Sequence, residues 1–336
     1  MSIYKSRKKT NFRKSYVIAE LACGWEGDVK LLKKWIKKLA SIKPDAIKLH
    51  IHYADNYITA NHSLYPFYKK MEVDYNLWPQ IFQSIKKQGI DVIIMPNEIR
   101  GLSLMKNKNV DGVVLHSANL LDFKMLKELK NCKKPVFIGV GGSYIKEIKR
   151  ALSILKKKEI ILMLGFQNYP TRIIDHKFSY IKIYSKTFNL PVGFDDHVSG
   201  GSLESFIMPT IARSKGAAAI EKHVTDKRSF KRTDYQSALE FDEFEKFLKL
   251  FRSLEKTLYD YPLRFSKQEM AVRDLIKKQL IAAKGLKANT KVRKEDIVFK
   301  RSPKKGLSPI EYHDIIGKLW RKDVSKNSSI KRSDIK

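Results

Sequence analysis

Residues 192–201 read VGFDDHVSGG, and residues 217–226 read AAAIEKHVTD. In each, a short apolar run with strand character breaks without warning into charge. The first ends in Asp195, Asp196 and His197, the second in Glu221, Lys222 and His223. Upstream, the same kind of run recurs as YVIAELA (16–22), AIKLHIH (46–52), DVIIMP (91–96), GVVLHS (112–117), PVFIGV (135–140) and IILMLG (160–165). Together with 191–196 and 218–224 these make eight runs. Each is followed by a stretch whose apolar residues stand three and four apart, as in DVKLLKKWIKKLASI (28–42), the mark of an amphipathic helix. Asp28 and Ser143 stand where N-caps belong. Eight strand–helix units over roughly 250 residues are the count and size of a (β/α)8 TIM barrel. A doubly wound open sheet is the alternative, but it needs no eighth repeat. DEFEKFLKLFRSLEKTL (242–258) then serves as the closing helix.

In such a barrel the C-terminal ends of the strands form the mouth where catalytic groups gather. Five of the eight histidines, His50, His52, His116, His197 and His223, fall at those ends. Imidazoles beside carboxylates at an open mouth suit a divalent metal that polarises a carbonyl.

The chain has 336 residues, 43% of them hydrophobic, enough for one large domain and a small one. The organisation expected is a basic extension (1–15), the barrel (16–260), a polar linker (261–272) and a second domain (273–336) of strands and turns with little helix. Two cysteines, Cys23 and Cys132, offer neither a disulfide framework nor a metal-ligand spacing, which points to a reducing compartment. The basic N-terminus lacks the apolar stretch of a signal peptide, and no run approaches the roughly 18–20 residues of a membrane span. A soluble, cytoplasmic protein is expected. Net charge is +32, from 67 Lys+Arg against 35 Asp+Glu, a field that attracts polyanions. The lysines, however, sit in LLKKWIKKL (31–39), IKRALSILKKK (148–158) and FEKFLKLFRSLEK (244–256), where helical spacing puts them on solvated faces. No aromatic–basic RNA signature, zinc finger or basic zipper accompanies them, so nucleic acid is not the partner expected.

IAELACGWEGD (18–28), DAIKLH (45–50), NYPT (168–171), VGFDDH (192–197), IEKHVTD (220–226) and DYQSAL (234–239) resemble the sialic acid synthase family in order and spacing. AAKGLKANTKVRKEDIVFKRSPKKGLSP (282–309) resembles that family's antifreeze-like domain, so the likeness spans about residues 16–336. It implies condensation of phosphoenolpyruvate with an open-chain N-acylhexosamine, giving a nine-carbon acid and phosphate. A divalent metal is implied on His197 and His223: Mn or Mg, with Co and Zn also suited to nitrogen and oxygen ligands. Glu20 and Lys48 join the two histidines as catalytic residues. Glu20 and Asp234 would meet sugar hydroxyls, Tyr169 would line the sugar, and Lys48 would contact phosphoenolpyruvate. Arg301 matches an arginine that reaches from one subunit's antifreeze-like domain into the other's barrel, which implies a homodimer with a swapped C-terminal domain.

The chain departs from the family pattern at several places. Gly24-Trp25 replaces an asparagine-histidine, Met95 a threonine, Val114 a lysine, Asn119 a carboxylate, Gly139 and Asp195 serines, and His50 a glutamine. An anion would be left with Lys48, Ser117 and the backbone amides of GVGGS (139–143). The substrate-binding set expected is therefore Lys48, His50, Ser117, Asn119, Tyr169, Asp195, Asp234 and Arg301. Two enzymatic readings share the metal. One is a divergent synthase that still uses phosphoenolpyruvate. The other is a metal-dependent enzyme on a sugar-type substrate that has lost it, with His50, His116 and Asp195 serving a lyase, epimerase or hydrolase reaction. The third reading is a non-catalytic carbohydrate-binding homologue, which has no need of both metal histidines. Sugar identity would be set in the long stretch 53–76, whose tyrosines, with Trp78, are candidates for the mouth.

Overall fold

The computed structural model describes residues 14–156, 159–166, 168–259 and 262–336. Residues 1–13 of the expected basic extension lie outside them. Eight strands alternate with helices: β1 (Tyr16–Glu20), β2 (Ala46–Ile51), β3 (Asp91–Pro96), β4 (Gly112–Leu115), β5 (Val136–Gly139), β6 (Ile160–Leu164), β7 (Val192–Asp196) and β8 (Ala219–Thr225). The helices that follow them are α1 (Val29–Ile42), α2 (Trp78–Lys86), α3 (Ile99–Leu102), α4 (Phe123–Lys130), α5 (Ile145–Leu155), α6 (Ser179–Phe188), α7 (Glu204–Ser214) and α8 (Phe241–Glu255).

Each strand pairs in parallel with the next, and β1 pairs with β8, setting Tyr16 opposite Ala219 and Glu20 opposite His223. That last pairing closes the sheet, and the open-sheet alternative falls. Of the two N-caps expected, Asp28 takes the N–H groups of Lys30 and Leu31 at 2.8 and 3.1 Å. The cap of α5 is Tyr144 rather than Ser143. The carboxylate of Glu147 reaches back to the Tyr144 N–H at 2.7 Å, which sets the first turn one residue later than serine's capping preference suggests.

α1 shows how the lysine-rich helices are used. Leu32, Trp35, Ile36, Leu39 and Ile42 are buried on the barrel wall, while Lys33, Lys34, Lys37 and Lys38 between them are exposed. The barrel has two apolar layers. Val17, Ala19, Leu49 and Ile94 face outward under the helices, whereas Ile18, Ala46, Ile93, Met95, Val114, Phe137, Ile161, Met163 and Ala219 plug the interior. Fully burying each large apolar side chain contributes about 1.5–3 kcal/mol, so the plug is a floor on which a rigid mouth can stand.

A second compact unit begins at Asp260. Its helix α9 (Lys267–Ile276) lies partly within the stretch expected as linker and buries no residue. β9 (Gln279–Ala282) and β10 (Ile297–Lys300) pair antiparallel over a separate core that includes Leu280, Trp320, Ile330 and Ile335. No helix among the described residues is long and apolar enough to cross a membrane.

Candidate active site

Side chains alternate across a strand, so neighbours in sequence face opposite ways and residues two apart share a face. In β7 and β8 this sorts the charged runs into two sets. Asp195, His197, Glu221 and His223 follow the inward face that carries Ala219, while Asp196 and Lys222 face the outer wall. There the Lys222 Nζ donates to Asp196 Oδ2 at 2.8 Å, with both side chains fully buried. Asp196 also accepts the Val198 N–H at 3.0 Å.

On the inner side Asp195, His197 and His223 each offer a ligand atom, all within 4.8 Å of one another. The imidazole rings of His197 and His223 are 4.9 Å apart. His197 Nδ1 lies 2.9 Å from the Phe166 carbonyl, which can only accept, so Nδ1 carries a proton and Nε2 is the atom turned to the cluster. That Nε2 is 3.2 Å from Asp195 Oδ1. His223 Nδ1 is buried with no hydrogen-bond partner, and Asp234 Oδ2 stands 3.8 Å away. Burial and the neighbouring His197 hold the His223 imidazole well below its ordinary pKa, in the neutral form that metals bind. For Asp195, burial would raise the pKa, but His197 and Lys48 overcome it and keep the carboxylate charged. Two imidazoles, one charged carboxylate and the orphaned buried nitrogen of the neutral His223 are a fitting donor set for a divalent cation.

Directly beneath, the Lys48 ammonium pairs with Glu20 and lies 2.5 Å from Glu221 Oε1. Glu20 also faces His50 Nε2 at 3.2 Å and accepts the Ala22 N–H at 2.7 Å. Burial and repulsion by Asp195 raise the Glu221 pKa against the pull of Lys48. Asp234 is raised to about 6, chiefly by burial. The Tyr169 ring packs on both histidines, 4.6 Å from His197 and 5.6 Å from His223.

The other expected residues are more dispersed. Ser117 and Asn119 sit in a helical turn after β4, and Asn119 Nδ2 is committed to the Asn97 carbonyl at 3.1 Å. His116 Nδ1 accepts the Ala118 N–H at 3.3 Å. His52 turns away to Tyr68, 5.3 Å between rings, and lies 4.0 Å from the Cys23 sulfur. Trp78 is core, 2% exposed and stacked on Phe82, so it does not line the mouth. Arg301 is exposed in the second unit. Sequence reasoning assigned no role to Glu221, although its place two residues before His223 puts it on the same face. The Phe166 carbonyl left no signal, because any residue supplies one.

Gly165 has a steric part in this arrangement. A Cβ there would lie 2.6 Å from Asp195 Cβ and 2.8 Å from its carbonyl oxygen. Gly165→Ala is expected to cost roughly 1–3 kcal/mol of stability and to lower bound Mn by displacing Asp195. Thermal unfolding and metal analysis on one preparation check both.

The fold is a closed (β/α)8 barrel with a candidate site for a divalent cation, built from nitrogen and oxygen donors, at its mouth. Residues 30–261 match the NeuB family model, and residues 278–336 match the SAF domain. The chain therefore belongs to the NeuB family. It is 26% identical over 342 residues to the pseudaminic acid synthase of Campylobacter jejuni, covering 96% of this chain and 97% of that one. It is 24% identical over 338 residues to the N,N'-diacetyllegionaminic acid synthase of the same organism, covering 95% and 99%. The N-acetylneuraminic acid (sialic acid) synthetase of Leptospira borgpetersenii, solved with citrate, shares the fold with a TM-score of 0.70. Identity to it is 24%, over 79% of this chain and 93% of that one.

Proposed function

We propose that the chain is a metal-dependent carbon–carbon bond-forming enzyme of the nonulosonic acid synthase type. It would join a three-carbon enolpyruvate unit to an open-chain N-acylhexosamine aldehyde, giving a nine-carbon 2-oxo acid. The observation that carries this reading is the cluster of His197, His223 and Asp195 at the mouth of a NeuB-family barrel. A divalent ion held there (Mn, Mg, Co or Zn) would supply Lewis-acid polarisation of the aldehyde oxygen. The chain's own residues do the rest. Tyr169 walls the sugar side, and Asp234 and Glu20 accept sugar hydroxyls. Lys48, steadied by Glu20 and Glu221, faces the donor's carboxylate, with Ser117 and the tethered Asn119 at the rim.

The test is incubation of the Mn-loaded protein with a panel of N-acylhexosamines and three-carbon donors, followed by mass spectrometry. A 2-oxo-3-deoxy acid that is absent with His197→Ala is the result expected. No such product from any combination would sink the proposal.

A second reading keeps the ion and the sugar side but changes the donor, and one observation favours it. The inward faces of β3 to β6 carry Met95, Val114, Phe137 and Met163, an apolar surface where a phosphate needs cations.

We also propose a cytoplasmic homodimer in which the second domain of one copy lids the other copy's barrel and Arg301 meets substrate. Arg301→Ala and His197→Ala chains, each inactive alone, are then expected to regain up to about a quarter of native activity when mixed. This follows because one composite site per mixed dimer is intact. A verified mixed dimer without activity would place the whole site within one chain.

A further inference from the structure

The alternation that sends Asp195 into the mouth sends its neighbours the other way. Leu164 on β6 and Phe194 on β7 belong to the outer apolar layer, and both line a cavity of about 460 Å3 outside the barrel. The loops leading into α5 and α6 form the rest of its wall. Gly141, Gly142 and Ser143 are among the lining residues, the part of GVGGS (139–143) expected to hold an anion. The size falls within the roughly 300–1,000 Å3 of pockets that hold a small molecule.

Three aromatic residues on this lining stay open to solvent: Tyr144 is 71% exposed, Phe166 49% and Tyr180 43%. They come from separate stretches of chain, and Tyr180 is braced by Tyr184, the rings 5.8 Å apart and 16° from parallel. Rings left exposed around one hollow are a stacking surface for a planar ligand, and every nucleobase has such a face. The charge around them is positive. Lys177 donates to the Ile174 carbonyl at 3.0 Å and forms no ion pair among the described residues. Lys146 stands 5.6 Å from the centre of the Tyr144 ring. Asp175, the one acidic residue of the described lining, is held by Arg172 at 2.7 Å. At Gly142, φ is +69° and a Cβ would meet nothing within 4 Å, so the backbone there is open to close approach. A lone inorganic anion would leave most of the cavity empty, and an uncharged ring would leave the lysines unanswered. We propose that this cavity is an effector site for a nucleoside monophosphate. Its base stacks among Tyr144, Phe166 and Tyr180, and its phosphate is met by Lys177 and the Gly141–Ser143 loop.

The cavity and the candidate cation cluster share a wall. Phe166, whose ring the base covers, supplies the carbonyl that accepts from His197 Nδ1 at 2.9 Å. Gly165, also on the lining, stands against Asp195, and Phe194 precedes Asp195 directly in β7. A ligand that fixes Phe166 therefore fixes the acceptor that orients His197, and binding of a divalent ion tightens. By linkage the ion tightens the nucleotide by the same factor. The site stands apart from the reaction proposed above, whereas this coupling rests on the cation cluster.

Calorimetric titration of the metal-free full chain with AMP, GMP, CMP and UMP is expected to show binding of at least one of them. Tyr180→Ala should weaken it about tenfold or more, because one stacking ring is lost. Lys177→Glu should weaken the nucleotide to a similar extent and leave binding of the matching nucleoside unchanged. Both residues are exposed, so either substitution leaves the fold in place. Mn titrated at saturating nucleotide is expected to bind about fivefold tighter or more in the native chain. The Tyr180→Ala chain should show no such gain, which rules out chelation in solution as its source. Absence of binding at about 1 mM of every nucleotide, or binding indifferent to both substitutions, overturns the site. Phenylpyruvate bound as tightly as the nucleotides overturns the ligand class. Equal Mn affinity with and without nucleotide overturns the coupling. Failure to bind Mn in either state overturns the cation cluster instead and leaves the nucleotide result standing.

Discussion

Replacing His197 or His223 with alanine is expected to remove both the bound ion and all measurable turnover while leaving the fold in place. Among the described residues, each histidine is one of three groups with a ligand atom at the cluster. Loss of a group that merely orients a metal ligand typically weakens binding about 10–100-fold, so loss of a ligand itself should exceed that range. Neither ring holds up the barrel. The apolar plug lies below them, and the strand pairing of β7 and β8 is a backbone matter. Mn content after dialysis, turnover with the sugar panel, and the circular dichroism melt should therefore separate cleanly. Metal and activity fall together, and the midpoint stays within about 3 °C. Full metal content in both variants would remove the cluster from the centre of the mechanism.

The largest effect on stability is expected on the other face of the same strands. Asp196→Ala leaves the Lys222 ammonium fully buried with its carboxylate gone. Breaking a buried pair from one side typically costs about 3–5 kcal/mol, because the remaining charge is uncompensated. Replacing both members with apolar residues of similar volume, Asp196→Leu with Lys222→Met, should recover most of that loss. Urea denaturation of the native chain, the single variant and the double variant checks the pattern. A loss below about 1 kcal/mol for Asp196→Ala would mean that water reaches Lys222 and that the pair is not the sealed contact described.

Much of the barrel was legible because its signals are local and repeated. Each strand lies within a residue or two of its apolar run, and Asp28 caps α1 as its place before an amphipathic stretch requires. The Ser143 cap failed because a second local interaction, Glu147 reaching back to the Tyr144 N–H, overrode a single-residue propensity. The histidines at strand ends were legible as a rim, but not all as one site. His197 and His223 converge because β7 and β8 are adjacent and in register, whereas His52 follows the chain into the loop after β2 and packs on Tyr68. Trp78 was misplaced for a related reason, since an aromatic near a long loop reads the same whether it lines a mouth or fills a core. Composition could not show that Glu20, Lys48 and Glu221 form one buried group, because they come from three strands brought together only by closure. The Phe166 carbonyl that holds the Nδ1 proton of His197 is backbone, and side-chain patterns do not reveal it.

The alternation along β7 and β8 has a consequence for anyone redesigning this protein. Positions 195, 197, 221 and 223 address the chemistry, and positions 196 and 222, lying between them, address the wall. The two instruction sets are interleaved letter by letter yet project into separate spaces. A library that randomises the odd-numbered positions while holding Asp196 and Lys222 fixed explores new reactivity on an intact scaffold. Insertion or deletion of a single residue in either strand exchanges the two sets at once, sending the ion pair into the mouth and the histidines under the helices. Substitution is thus a permitted route to new activity here, and a change of length is not.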